Sequence, residues 1–164
     1  MTTRGVLYVH SAPPALCPHV EWAATGVLGV RVCLQWTPQP AAPGTVRAEL
    51  SWQGKPGSAA ALTSALRKWQ LLRFEVTEEP GPGADGERYA FTPTLGLFAA
   101  VIGVHGDILV SEHRLQAVLQ AAAAGQVSLP EQVRHLIGTP WDDELERFRH
   151  AGEDSSVRWL HRVG

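Results

Sequence analysis

The chain has 164 residues, 45% hydrophobic and 18% charged, a length at which one domain buries roughly two-thirds of its unfolded surface without metals or disulfides. Fourteen basic and sixteen acidic residues leave a net charge of −2, which argues against a nucleic-acid surface resting on bulk charge, and no apolar run approaches the roughly 20 residues that span a bilayer. Cys17 and Cys33 make neither a disulfide framework nor a zinc quartet, and Met1 to Leu7 lead into a strand pattern without a signal-peptide layout, so a cytoplasmic globular protein is expected.

In chain order, Gly5–His10 reads as a strand with Leu7 and Val9 on one face and Tyr8 and His10 on the other. The loop Ser11–Leu16 has two prolines and no glycine, which makes it a poor phosphate cradle. Pro18 suits a first helical turn, Val20, Ala23, Ala24, Val27 and Leu28 recur at helical spacing, and Gly29 can end that helix. Strict alternation over Val30–Trp36 and Val46–Trp52 predicts two strands. Ser58 is a candidate N-cap for a helix carrying Leu62, Ala65, Leu66 and Trp69, and Leu72, Phe74 and Val76 mark the next strand. The order over residues 1–80 is therefore βαββαβ, a ferredoxin-like α+β unit: an antiparallel sheet with both helices on one face.

Residues 81–164 read as a mixed hairpin and helical extension packing on that unit, the whole forming one composite domain. Glu79–Glu87 is a loop, Arg88–Phe91 a strand, and Leu97–Val104 with Asp107–Val110 a hairpin turning at His105-Gly106. Ser111 caps a helix with Leu115, Val118, Leu119 and Ala122. Ser128 and Glu131 form a capping-box pattern, Thr139–Asp142 opens a helix with an acidic first turn, and Val157–Val163 alternates like a last strand.

Chemistry is sparse. The uncovered sheet face would show Tyr8, Arg31, Arg47 and Arg73 beside Glu49 and Glu75, either as solvated Arg–Glu pairs or beneath the C-terminal half. An RNA-recognition sheet needs aromatics on both central strands, and only Tyr8 qualifies, so nucleic acid is not an expected partner. Cys17 at a helix N-terminus, with His10 and His19 nearby in sequence, is the one arrangement that resembles an activated thiol; no oxyanion-hole glycine follows it. The seven histidines form no His-x-x-x-His pair, so no metal or other cofactor is expected. Asp142, Asp143, Glu144 and Glu146 read as a solvated helix start. Trp22, Trp36, Trp52 and Trp69 lie on apolar stripes and read as core, whereas Trp141 and Trp159 stand in polar surroundings and suit a partner surface.

The stretches Thr3–Ala12, Leu16-Cys17-Pro18-His19-Val20-Glu21-Trp22, Leu71–Pro80, Val104–Ile108, Trp141–Glu146 and Val157–Leu160 together resemble an uncharacterised actinobacterial family catalogued as domain of unknown function 3145. The resemblance implies an accessory or regulatory setting beside type II fatty-acid synthesis. It carries over no activity and no catalytic residue. The leading reading is a non-enzymatic cytoplasmic binding or regulatory protein. An acidic carrier protein would meet Arg31, Arg47 and Arg73, and no membrane partner is expected. The alternative is a small enzyme using Cys17 with His10 or His19 on an acyl or thioester substrate.

Overall fold

The structure, a computed structural model, describes residues 1–151. Trp159 and the strand expected at 157–163 lie outside the described residues. Seven strands form one antiparallel sheet: β1 (Thr3–Ala12), β2 (Thr37–Pro38), β3 (Val46–Gly54), β4 (Arg73–Glu78), β5 (Gly86–Thr92), β6 (Gly96–Ile102) and β7 (Ile108–Leu109), in the spatial order β2-β3-β1-β4-β5-β6-β7. Among the described residues five α-helices accompany it: α1 (Cys17–Leu28), α2 (Ser58–Leu66), α3 (Glu112–Ala123), α4 (Leu129–Leu136) and α5 (Thr139–Arg149). Among the described residues no helix is long and apolar enough to cross a membrane.

Period-two patterning sends Leu7 and Val9 of β1, Trp52 of β3, Phe74 and Val76 of β4 and Phe91 of β5 to one face. There they meet Val20, Ala23 and Ala24 of α1 and Ala59, Leu62 and Leu66 of α2 in one dry cluster. The register places Leu7 opposite Leu50 and Val76, and Gly5 opposite Trp52. A Cβ at Gly5 would fall 1.8 Å from the Thr77 carbonyl oxygen and 2.5 Å from the Trp52 ring, so only glycine lets that indole lie across the strand.

Three local expectations are corrected. Residues 31–36 form no strand. Thr25 Oγ1 accepts from the Val32 N–H at 2.9 Å, and Glu21 Oε1 accepts from the Leu34 N–H at 2.8 Å and the Trp36 indole at 3.1 Å. Side chains of α1 thus take the donors a ladder would need, and only Thr37–Pro38 pairs with β3. Ser58 is the first residue of α2 and not its cap: Gly57 holds that position, and the Glu78 carboxylate accepts from the N–H groups of Gly57 and Ala59, both at 3.0 Å. Ser128 flanks α4 without a side-chain cap bond, so the Ser128–Glu131 box is not formed. Ser111 does cap α3, accepting from the Arg114 N–H at 3.4 Å.

The second sheet face is covered by α5. Trp141 and Leu145 pack on Ala90 and Phe98, and the Trp141 indole donates to the Gly96 carbonyl at 3.0 Å. Gly138 turns the chain into α5 at φ +81°, with its Cα hydrogens facing Phe98; a Cβ there would stand 2.7 Å from the ring. Helix α5 therefore forms a second layer on the face opposite α1 and α2.

Candidate functional site

The layer between the sheet and α5 is charged as well as apolar. Glu75, on β4, points to this face beside Tyr8 of β1 and is 1% exposed. β1 carries an extra residue at His10 relative to both neighbouring strands, a bulge that frees the His10 carbonyl from the ladder. The Gln39 amide takes it, donating at 2.7 Å to His10 and at 3.3 Å to the Phe148 carbonyl at the end of α5. The bulge also sets the His10 ring, stacked on Tyr8, so that its Nε2 lies 2.6 Å from Glu75 Oε2.

Two guanidiniums complete the cluster. Arg149 donates to Glu75 through Nε at 3.0 Å and through Nη2, and Nη2 also reaches Asp142 at 2.9 Å. Arg88 Nη2 donates to the same two carboxylates, at 3.0 Å to Glu75 and 2.6 Å to Asp142. Burial alone pushes the Glu75 carboxyl up. The hydrogen bond and charge of His10, with the charge and hydrogen bonds of Arg149, outweigh it and hold Glu75 well below the usual carboxylate range. An ionised carboxylate only accepts, so Nε2 of His10 carries a hydrogen. Burial likewise works against the charge on Arg149, and Glu75 and Asp142 more than restore it. Beside the cluster, Arg73 Nε approaches Glu144 at 3.4 Å and lies over the Phe148 ring, while Glu144 accepts from Thr92 Oγ1 at 3.0 Å. The acidic start of α5, expected as a solvated run, is divided: Asp143 and Glu146 are exposed, whereas Asp142 and Glu144 bind the helix to the sheet.

Two cavities flank the cluster and share Arg149 as a wall. The smaller, of about 170 Å³, lies over β1 and β3 and is lined by Tyr8, His10, Thr37, Arg47, Glu49 and Arg149 among others. The larger, of about 860 Å³, is a cleft between the β6–β7 hairpin, the β4–β5 loop, the end of α4, and α5. Ile102, Val104, Ile108 and Ile137 supply its apolar wall, and Glu79, Glu87, Asp107 and Glu146 are among its acidic groups.

The sequence candidates disperse over this frame. Tyr8 and His10 belong to the buried cluster, Arg47 to the small cavity, and Arg73 to the α5 contact, while Arg31 is exposed on the irregular 31–36 segment. Cys17 opens α1 as expected, but burial and the nearby Glu21 charge push its thiol up, the direction opposite to activation. His19 is exposed and tilts against Trp69 at 5.9 Å. Trp141 is 5% exposed and belongs to the core, not to a partner surface. Trp22, expected in the core, is 71% exposed, with the Lys68 ammonium 5.9 Å from its ring centre and 4.5 Å from that of Trp69. Sequence reasoning missed Gln39, Arg88 and Arg149 altogether. Their only signal was the carboxylate at position 75, on a face expected to be either solvated or covered by the C-terminal half.

Fold and site together define an α+β protein in which a C-terminal helix is held to the sheet by a buried ionic cluster, with a cavity on either side. The chain belongs to the family described as protein of unknown function (DUF3145), whose model matches residues 6–162. No curated protein and no solved structure matches it.

Proposed function

We propose that this is a non-enzymatic cytoplasmic binding protein, and that the cleft with the adjoining α3–α4 arm seats an apolar, basic segment of a partner protein. One observation carries the reading: none of the 12 residues of α3 is buried, although Leu115 and Leu119 stand one turn apart on it. A helix of that length is marginal in water without a packed apolar face. On α4 and at its C-cap, Leu129, Val133 and Ile137 continue an exposed stripe at four-residue spacing, and Ile137 lines the cleft. The acidic groups of the cleft outnumber Arg88 and Arg149, both of which are turned inward to Glu75 and Asp142, so charge complementarity favours a cationic occupant. An acidic carrier protein fits less well, because Arg73 is engaged with Glu144 beneath α5 and does not join Arg31 and Arg47 on one surface. The scaffold reads as a ferredoxin-like unit, supported by the order β2-β3-β1-β4 with α1 and α2 on one face, extended by β5–β7 and three helices. Two free cysteines suit a reducing compartment.

The test is a nuclear magnetic resonance titration of labelled protein with an amphipathic leucine–lysine peptide and a leucine–glutamate peptide of equal length. The basic peptide should bind at least about tenfold more tightly, shift Val104, Ile108, Ile137 and Leu119, and weaken as salt is raised. Preference for the acidic peptide, or shifts confined to other surfaces, would refute the assignment.

A further inference from the structure

We infer that the small cavity over β1 and β3 is a binding site for a small oxyanion, a carboxylate or a phosphate, held chiefly by Arg47. This site is separate from the cleft and does not depend on the partner reading. At about 170 Å³ the cavity has room for roughly half a dozen waters, too small for a peptide and suited to a compact polar group.

Its lining holds two guanidiniums, of Arg47 and Arg149, and the Thr37 hydroxyl, against the single carboxylate of Glu49; Tyr8 and His10 complete the wall, the His10 Nε2 hydrogen being given already to Glu75. Arg149 is committed to Glu75 and Asp142, so it forms a wall of the cavity and not the primary contact. Arg47 differs: it is half-buried and enters no ion pair among the described residues. A planar guanidinium in a partly dry cavity is the group that grips a carboxylate or phosphate through two parallel hydrogen bonds. The walls are pre-formed. The cavity is floored by the backbone at Val9 and Ala48, paired across β1 and β3, and its Thr37 side is fixed by the pairing of Thr37 with Arg47 itself. Glu49, exposed and two residues along the same strand face, leaves a place for a hydroxyl or ammonium beside the anionic end.

The probes are inorganic phosphate and malonate, titrated separately into the full chain and followed by amide shifts and calorimetry. Saturable binding with shifts at Thr37, Arg47 and Ala48 is expected for at least one of them at about 1 mM or tighter, and which one binds identifies the anion class. Arg47→Gln should weaken it by about ten- to hundredfold, Arg47→Lys by less, and Lys55→Gln, an exposed site outside the cavity, should leave it unchanged. Because Arg47 is half-exposed, both replacements keep the fold, which the unperturbed remainder of the spectrum verifies. If neither anion gives saturable shifts there, or if Arg47→Gln and Lys55→Gln weaken binding equally, as for general attraction to surface charge, the site does not exist.

Discussion

The two faces of one sheet are built on opposite principles. Under α1 and α2 the layer is almost wholly apolar, and Phe74, Val76, Leu62 and Leu66 are fully buried against one another. Under α5 the apolar contacts of Trp141, Leu145 and Phe98 stand beside five ionisable groups centred on Glu75. An apolar layer is non-directional and tolerates many packings, at about 1.5–3 kcal/mol per large side chain buried. An ionic layer is directional: its stability rests on every charge keeping its partner, and losing one partner strands the others in a poor solvent. The face under α1 and α2 thus carries the larger apolar cluster, whereas the face under α5 fixes one register between helix and sheet and is flanked by a cavity on each side.

That contrast can be broken by mutation. The largest effect is expected at Arg149→Met, which leaves Glu75 and Asp142 short of a cation and should cost about 3–5 kcal/mol in urea unfolding. Retention of stability within about 1 kcal/mol would mean that the cluster is dispensable. On the other face Leu62→Ala should cost about 2–5 kcal/mol, but without altering the pH dependence of unfolding, since it removes only apolar contacts. Acid sharpens the distinction. The folded-state pKa of Glu75 is depressed, so its contribution is fully present above the unfolded carboxylate value of about 4.3 and is lost as pH falls through the lower folded one. Glu75→Gln should therefore flatten the acid limb of a stability–pH curve, and an unchanged limb would contradict the ionised, paired state. Glu78→Gln, at the N-terminus of α2, should cost about 0.5–2 kcal/mol, seen as faster amide exchange at Gly57 and Ala59. The smallest effect belongs to Glu79→Gln. It removes the exposed Arg4–Glu79 pair at 2.6 Å and should change the free energy of urea unfolding by less than about 1 kcal/mol.

How much of this was legible in the chain follows the same division. The apolar face is written in periodicity: Leu7 and Val9, Trp52, and Phe74 and Val76 fall at alternate positions, and Val20, Ala23 and Ala24 at helical ones, so β1, β3, β4 and α1 could be read directly. Residues 31–36 show the limit. Their alternation is real, but the donors of Val32 and Leu34 go to Thr25 and Glu21, and hydrogen bonds to side chains leave no trace in a hydropathy pattern. Trp22 shows another limit, since a residue beside an apolar stripe can fall on either side of its edge. The ionic cluster was illegible because its partners are remote, His10 lying 65 residues and Arg149 lying 74 residues from Glu75, and single charged residues carry no period. What could be read was that the face bearing Glu75 was either solvated or covered; α5 covers it. Arg47, singled out for an open face, lies instead at the mouth of a cavity, and the cleft beside the α3–α4 arm was not visible at all.

The most direct test of a directional ionic layer is a double-mutant cycle on Glu75 and Arg149, comparing Glu75→Leu, Arg149→Met and the pair by urea unfolding at neutral pH. If the two charges answer each other across the sheet–helix interface, each single change is costly and the pair together costs much less than their sum, a coupling of about 2–3 kcal/mol. Additivity within about 0.5 kcal/mol would show that Arg149 and Glu75 are neighbours without being partners, and would contradict the charged layer as the device that holds α5 in place.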